Sequence, residues 1–257
     1  MSEAGPSSNS GGPTRAPSGT LGTVRNASIL LDLLSEGPAY QQLSDLAERS
    51  GLSVPTVHRL LRSLIAAGLV EQDPTSSRYG LGAELVRLAE RYLRRQPLMQ
   101  GLMPYLVDLR NRTGATVLVA MLIGDSVVYV ERIDGDDGAL LRRSDRSFPC
   151  MDTPTGRLLA SRGDAELWKR LTDGHDGLRL ADLEHWAGCD HLIGELDSPR
   201  GHVEVAVPIA RAEGSTPAAL AATGGPPRFP DGGLVDTVLP ELKETAELVG
   251  RMVSHAG

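Results

Sequence analysis

In the first third of the chain, hydrophobic and polar positions alternate with the spacing of helices. From Leu43 to Leu69 two short helical stretches meet at Gly51, which can take the left-handed conformation that closes a helix. The second stretch follows Ser53, a predicted N-cap, and has apolar residues at i, i+3, i+4 and i+7. These residues are Val57, Leu60, Leu61 and Leu64. With a further helix over 23–36, the pattern predicts a three-helix core.

The opposite face of the last of these helices is polar and basic. It carries Pro55, Thr56, His58, Arg59, Arg62 and Ser63. Arginine pairs with guanine edges in the major groove, each pair giving about 1–3 kcal/mol of base discrimination, so Arg59 and Arg62 are candidate base contacts. Ser53 and Thr56 at the helix start are candidate phosphate contacts, and His58 fits either role. For each of these residues a solvated surface position is the alternative.

A polar turn between two short strand-like stretches follows this helix. Val70 begins the first strand, and Ser76, Ser77 and Arg78 lie beside the turn before the second. A helix pair followed directly by a β-hairpin is typical of a winged helix, whose wing lies along the sugar–phosphate backbone. The helices alone would also fit an ordinary αα-hairpin with a solvated basic face. The added hairpin favours DNA binding.

The remaining chain changes from helical spacing to the period of two that marks strands. Helices are predicted at 82–96, 98–113, 164–186 and 231–254, strands at 116–122, 126–133, 139–143, 203–209 and 217–224, and a polar connection at 187–200. This predicts an α+β domain with a mostly antiparallel sheet, whose concave face can hold a small molecule. The helix at 82–96 reads as a linker with an apolar face that suits contact between copies, or else packs on its own domain.

The net charge of −7 is unevenly distributed. Residues 21–96 hold nine arginines and eight acidic residues, whereas residues 97–257 hold 16 basic and 24 acidic ones. Because phosphate neutralisation supplies much of the affinity for DNA, so weakly basic a module predicts a dimer or higher oligomer. The chain contains neither a signal peptide nor an apolar run long enough to span a membrane. Its two cysteines cannot form a disulfide framework, and together these features predict a cytoplasmic protein without a membrane partner.

Catalytic, metal-binding and cofactor-binding patterns are weak. Cys150 has no recognisable base beside it, as a nucleophile would require. The spacing of His175, His185, Cys189 and His191 does not match a structural zinc site. No Gly-rich phosphate loop follows a strand. We therefore predict no catalytic residue, metal or cofactor, with a small-molecule-binding or hydrolytic module carrying an incidental helical hairpin as the alternative.

Three segments resemble the IclR family of bacterial transcriptional regulators in their order and spacing. They are GLSVPTVHRLLRSLIAAGLVEQDPTSSRYGLG at 51–82, TPTGRLLA at 153–160, and VAVPI at 205–209 followed by PAALAATGGPPRF at 217–229. The resemblance implies dimers or tetramers that bind operator DNA and repress or activate nearby genes. It also implies a winged helix-turn-helix domain over 21–82, a linker helix over 83–97 and a GAF-like effector-binding domain over 98–257. Residues 1–20 are rich in Gly, Pro and Ser and cannot bury a core, so they are predicted to be a disordered tail.

The predicted effector site combines a helix start with residues placed by the resemblance. It comprises Thr153, Pro154, Thr155, Gly156, Glu195, Glu204 and Ala206. Backbone N–H groups at a helix start can hold a polar or anionic group, although Thr153 fits a simple helix cap equally well. The last three residues of the set are carried over from the resemblance. Glu204 stands where the family often has Cys or Ser, and its carboxylate would disfavour a carboxylate effector. The hypothesis is therefore that the effector is neutral or basic, or that the pocket is vestigial.

Overall fold

The computed structural model describes residues 20–99, 101–136, 146–196, 202–225, 229 and 233–254. The chain divides into two compact units between Leu93 and Arg94. The predicted strand at 139–143 and the predicted tail, apart from Thr20 in the first helix, lie outside the described residues. Within the described part of the chain, no helix has the length and apolar character needed to cross a membrane.

The N-terminal unit is a three-helix core with a two-stranded hairpin and a fourth helix at its end. Its elements are α1 (Thr20–Ser35), α2 (Leu43–Ser50), α3 (Val54–Ala66), β1 (Val70–Gln72), β2 (Tyr79–Leu81) and α4 (Glu84–Arg94). The predicted apolar stripe of α3 is confirmed, because all four of its residues are buried against α1 and α2. Gly51 ends α2 with a φ of +67°, as predicted. The winged-helix arrangement is therefore present.

A buried glutamine joins the hairpin to the helices. Gln41 is 4% exposed, and its backbone N–H donates to the Tyr79 carbonyl at 2.8 Å while the Tyr79 N–H donates back at 2.9 Å. Its side-chain Nε2 donates to the Leu33 carbonyl at 2.7 Å, and its Oε1 accepts from Arg49 at 2.8 Å. These bonds fix the wing relative to α1 and α2.

The C-terminal unit is a six-stranded antiparallel sheet with helices on both faces. Its strands are β3 (Thr116–Ile123), β4 (Ser126–Ile133), β5 (Ser147–Pro149), β6 (Leu192–Glu195), β7 (Val203–Ile209) and β8 (Ala218–Gly224). They lie in the order β5-β4-β3-β8-β7-β6. Its helices are α5 (Met103–Thr113), α6 (Pro154–Ala160), α7 (Ala165–Gly174), α8 (Leu180–Gly188) and α9 (Gly233–Ser254), with short 3-10 turns at Pro97–Met99 and Cys150–Asp152.

Several predicted boundaries in this unit are wrong. The predicted helix at 98–113 is a 3-10 turn followed by α5, because Pro104 is tolerated in the first turn of a helix but not in its interior. The predicted helix at 164–186 is two helices, separated by a loop in which Gly177 has a φ of +88°. The polar connection predicted at 187–200 contains β6, and β5 was not predicted. Both are edge strands of three or four residues, too short for a clear alternating pattern.

The two sheet faces differ because side chains alternate along each strand. One face carries an aliphatic core shared with α5 and α9, including Val205 and Val207. The other carries small residues, among them Ala206, beneath α6. A Cβ added to Gly194 of β6 would lie 2.9 Å from Cγ of Pro154, so the first turn of α6 lies almost directly on the sheet.

Candidate DNA-binding surface and ligand site

The outward face of α3 presents its predicted polar side chains to solvent. Five of them are exposed, namely Pro55, His58, Arg59, Arg62 and Ser63, and Thr56 is partly buried. Among the described residues, neither Arg59 nor Arg62 forms an ion pair or a side-chain hydrogen bond. Both guanidinium groups are therefore available to a partner approaching from solvent, held on a helix whose other side is anchored in the core.

Ser53 occupies the N-cap position of α3 but does not cap the helix through its side chain. Its hydroxyl instead shares a hydrogen bond of 2.9 Å with Oγ1 of Thr56. The expected capping bond is therefore absent from α3, and the N–H groups of its first turn remain available to an acceptor such as a phosphate.

The turn of the wing is built around Asp73. Its carboxylate accepts hydrogen bonds from the N–H of Thr75 and of Ser76, each at 3.1 Å, and from both hydroxyl groups. These bonds, led by the one from the Ser76 hydroxyl, lower the pKa of Asp73 to about 2. Ser77 adopts a left-handed backbone with a φ of +57°. The Ser76 hydroxyl is thus engaged within the wing, whereas the side chain of Arg78 is exposed.

A cleft of about 570 Å³ separates the wing from the start of α2. It is lined by Tyr40, Gln42, Leu43, Ser44, Ser76, Ser77 and Arg78. Sequence reasoning missed Tyr40, Gln42 and Ser44. Gln42 and Ser44 could have been identified from their positions at a helix start, because backbone N–H groups there lack intrahelical partners.

In the C-terminal unit a buried carboxylate lies among the predicted ligand residues. Glu204 is 1% exposed. Its Oε1 accepts from the Thr155 N–H at 3.1 Å and from the Thr155 hydroxyl at 2.7 Å, and its Oε2 accepts from the Tyr129 hydroxyl at 2.7 Å. Burial, followed by the charge of Glu204, raises the pKa of Tyr129, so the phenol stays protonated and able to donate. A carboxylate removed from water requires donors of this kind.

The remaining residues at the start of α6 have structural contacts. Oγ1 of Thr153 accepts from the Gly156 N–H at 2.9 Å, which is the capping role that the sequence allowed for it. A Cβ added to Gly156 would lie 2.2 Å from the Cys150 carbonyl oxygen, so only glycine fits this approach. Pro154 lies in the first turn, where its missing N–H costs no helical hydrogen bond.

The strand register separates two acidic residues that the sequence grouped together. Gly194 pairs with Glu204, and Glu195 pairs with Val203. Because side chains alternate, Glu195 points to the opposite face of the sheet from Glu204, and it is exposed. The structure therefore does not bring Glu195 to this cluster. Ala206, two residues after Glu204, does lie on the same face and is fully buried.

Comparison with known proteins gives matches along the chain. The model of the IclR helix-turn-helix domain matches residues 23–74. The chain is 33% identical over 155 residues to the HTH-type transcriptional regulator XynR of Escherichia coli (strain K12), covering 60% of this chain and 61% of that protein. It is 33% identical over 140 residues to the glycerol operon regulatory protein of Streptomyces griseus, covering 54% and 55%. The matches thus span little more than half the length of these relatives.

Solved structures extend the likeness to the whole fold. An IclR family transcriptional regulator from Brucella abortus matches with a TM-score of 0.75 and 19% identity, over 96% of this chain and 97% of that one. The chain thus carries a segment that matches the IclR helix-turn-helix domain, and its fold is similar to that of an IclR regulator. An IclR homolog from Microbacterium hydrocarbonoxydans complexed with 4-hydroxybenzoate matches with a TM-score of 0.66 and 21% identity, over 91% of this chain and 100% of that one. At 19% and 21% identity these two matches show a likeness of fold.

The match to the IclR helix-turn-helix model begins at Thr23 within α1, covers α2 and α3, and ends at Pro74, before the tip of the wing. It does not extend to Tyr129, which sequence reasoning missed as a partner of Glu204. The available signal was the strand alternation of β4, which places Tyr129 on the same face as Val127. Among the described residues, no group of three His, Cys, Asp or Glu side chains is placed to hold a metal ion.

Proposed function

We propose that this chain is a sequence-specific transcriptional regulator of the IclR family that inserts α3 into the major groove of operator DNA. The observation that carries the proposal is the pair of exposed arginines, Arg59 and Arg62, on a helix anchored by a fully buried opposite face. Arg59 and Arg62 are proposed to read base edges, since a guanidinium group can donate two hydrogen bonds to one guanine. A folded wing next to this helix supplies a second contact region.

The other surface residues are proposed to position the protein on the backbone. Ser53 and Thr56 lie at the start of α3, where N–H and hydroxyl groups donate to phosphate. His58 and Pro55 share the exposed face and are proposed to lie against the groove. Arg78, with Ser76 and Ser77 shaping the wing, is proposed to contact phosphate across the cleft that faces α2. Such contacts add affinity without sequence preference.

The C-terminal unit is proposed to modulate DNA binding through a small molecule. The support is its fold and the 4-hydroxybenzoate bound by an IclR homolog of similar structure. The proposed ligand residues are Thr153, Pro154, Thr155, Gly156, Glu204 and Ala206. They comprise the buried carboxylate of Glu204, the start of α6 that packs on it, and Ala206 on the same sheet face.

The working form is proposed to be a homodimer or homotetramer in the cytoplasm. Helix α4 buries none of its residues and exposes apolar side chains at Val86, Leu88 and Tyr92. Contact between two copies would cover this face and place two recognition helices on successive half-sites.

We expect no catalytic step in this protein. The relatives are regulators by name, and Cys150 is 1% exposed. Burial raises the pKa of the Cys150 thiol to about 11, which disfavours the thiolate that a nucleophile would need.

The test is a gel shift of the full chain on the DNA upstream of its own gene, at low and at higher salt. Binding that weakens with salt but resists nonspecific competitor is the expected result. The same assay then screens metabolites for release of the complex. If this DNA is not bound, a genome-wide pull-down searches for distant operators. An empty pull-down would reject the regulator and return the hydrolytic alternative to consideration.

A further inference from the structure

The cluster beneath α6 has the composition of a carboxylate-binding site whose carboxylate belongs to the chain itself. Glu204 lies within β7, so the backbone that carries its side chain is fixed in the sheet. Two atoms of Thr155 and one of Tyr129 donate to it, all within 3.1 Å. We call these three donors, the Thr155 N–H, the Thr155 hydroxyl and the Tyr129 hydroxyl, the carboxylate seat.

The buried layer that contains the seat also contains apolar side chains. Leu158, Ala206 and Ala221 belong to the same buried layer. A carboxylate in apolar surroundings is stabilised by donors that remain fixed in place, and here Thr155 is held by α6 while Tyr129 is held in β4. Burial keeps the Tyr129 phenol protonated, as a donor must be.

The packing of α6 also limits what else can enter. Gly194 approaches Pro154 so closely that even an added Cβ would lie 2.9 Å from Cγ of the proline. A free carboxylate would need the donors that Glu204 already uses, and it would bring a second negative charge beside the first. Glu204 and a bound carboxylate are therefore mutually exclusive at this position.

We propose that the Glu204 side chain is a permanent occupant of the carboxylate seat, and that it determines effector specificity by excluding free carboxylates from the C-terminal unit. This rests on the proposed function of that unit as the effector-binding part of a regulator. In the absence of any effector, Glu204 then stabilises α6 in the position that a bound carboxylate would otherwise stabilise.

Chemical rescue tests this proposal directly. Both tryptophans, Trp168 and Trp186, lie in the C-terminal unit, so thermal unfolding followed by tryptophan fluorescence reports this unit. Glu204→Ala should lower its Tm by about 5 °C or more, because buried donors lose their acceptor. Added acetate should restore at least half of that loss in a saturable way. Glu204→Gln is the matched control, since it keeps the side-chain volume and leaves no space for acetate.

Acetamide and sodium chloride separate carboxylate binding from shape and salt effects. Acetate is expected to raise the Tm of Glu204→Ala, whereas acetamide and sodium chloride are not. Acetate should leave the Tm of the wild type and of Glu204→Gln unchanged. Equal stabilisation of all variants by acetate, or no saturable effect on folded Glu204→Ala, would overturn the proposal. If Glu204→Ala does not fold, Glu204→Ser with formate gives the same comparison. This measurement needs no DNA. Acetate rescue can therefore fail while operator binding succeeds, and operator binding can fail while acetate rescue succeeds.

Discussion

The outward face of α3 and the cluster beneath α6 place charged groups in opposite environments. Arg59 and Arg62 stand in solvent without partners among the described residues, whereas Glu204 is buried and held by three donors. An exposed charge contributes little to stability and stays available for binding, but a buried charge depends on each of its partners. Substitutions on α3 should therefore change binding without changing stability, and substitutions beneath α6 should change stability first.

The largest expected effect is on DNA affinity. Replacing Arg59 and Arg62 together by Ala should weaken specific binding by about 100-fold or more, because each guanine contact is worth about 1–3 kcal/mol. The helix should stay folded, since alanine is the strongest helix former and the buried stripe is untouched. Titration in gel shifts measures the affinity, and circular dichroism during heating measures the fold.

The matched control removes the same charge elsewhere. Arg170 and Arg179 are exposed residues of the C-terminal unit, and their double alanine variant should retain sequence preference. If the control lost as much specific affinity as Arg59→Ala/Arg62→Ala, net charge rather than base contact would explain the result, and α3 would not be the recognition helix.

A smaller effect is expected beneath α6, and it is on stability. Thr155→Val removes the hydroxyl that donates to Glu204 at 2.7 Å but keeps the backbone N–H. We expect a loss of about 1.5–3 kcal/mol in the free energy of unfolding of the C-terminal unit, as is usual for a hydrogen bond to a charged group. Denaturant unfolding followed by tryptophan fluorescence measures it. Thr172→Val is the control, because among the described residues that hydroxyl bonds only to carbonyls of its own helix. Equal losses in the two variants would mean that the hydrogen bond to Glu204 contributes no more to the free energy of unfolding than a bond within one helix does.

The same comparison explains what could be predicted from the sequence. On α3 the helical spacing of apolar residues assigns each residue to the buried or the exposed face. One short stretch of sequence therefore predicts both the core and the binding surface. The IclR helix-turn-helix match and the described burial agree with that prediction. Local spacing was sufficient because the surface lies on one element.

The cluster beneath α6 depends on long-range register, which local spacing does not contain. Tyr129 and Glu204 are 75 positions apart in sequence, and β3 and β8 lie between their strands, so their contact depends on how four strands pair. A shift of one residue in the pairing of β6 with β7 would have placed Glu195, rather than Gly194, opposite Glu204. The sequence prediction included Glu204 and Thr155 but not Tyr129.

A still smaller effect concerns the attachment of the wing. Gln41→Ala should remove the donor to the Leu33 carbonyl and the acceptor for Arg49, lowering the stability of the N-terminal unit by about 1 kcal/mol. The Tyr79 N–H, which donates to the Gln41 carbonyl, should then exchange with solvent faster. Hydrogen exchange measures this, with Gln42→Ala as the control because its side chain is exposed. Unchanged exchange at Tyr79 would show that backbone pairing alone holds the wing.

The smallest effect is the titration of Asp73 within the exposed wing. Its pKa is lowered from 3.8 to about 2, with the Ser76 hydroxyl as the largest cause. The folded wing binds a proton at Asp73 less readily than the unfolded chain does. The ionised Asp73 carboxylate therefore contributes fully to stability above pH 3.8, and this contribution is lost as the pH falls towards 2. Ser76→Ala should move the pKa back towards its ordinary value, as measured by NMR of the Asp73 carboxyl carbon. Ser77→Ala should not, because the hydrogen bonds of the Asp73 carboxylate come from Thr75 and Ser76. A pKa that stays near 2 in Ser76→Ala would assign the effect to the backbone N–H groups and Thr75. In either case the change stays local, because exposed polar contacts form and break without disturbing a core, unlike those of Glu204.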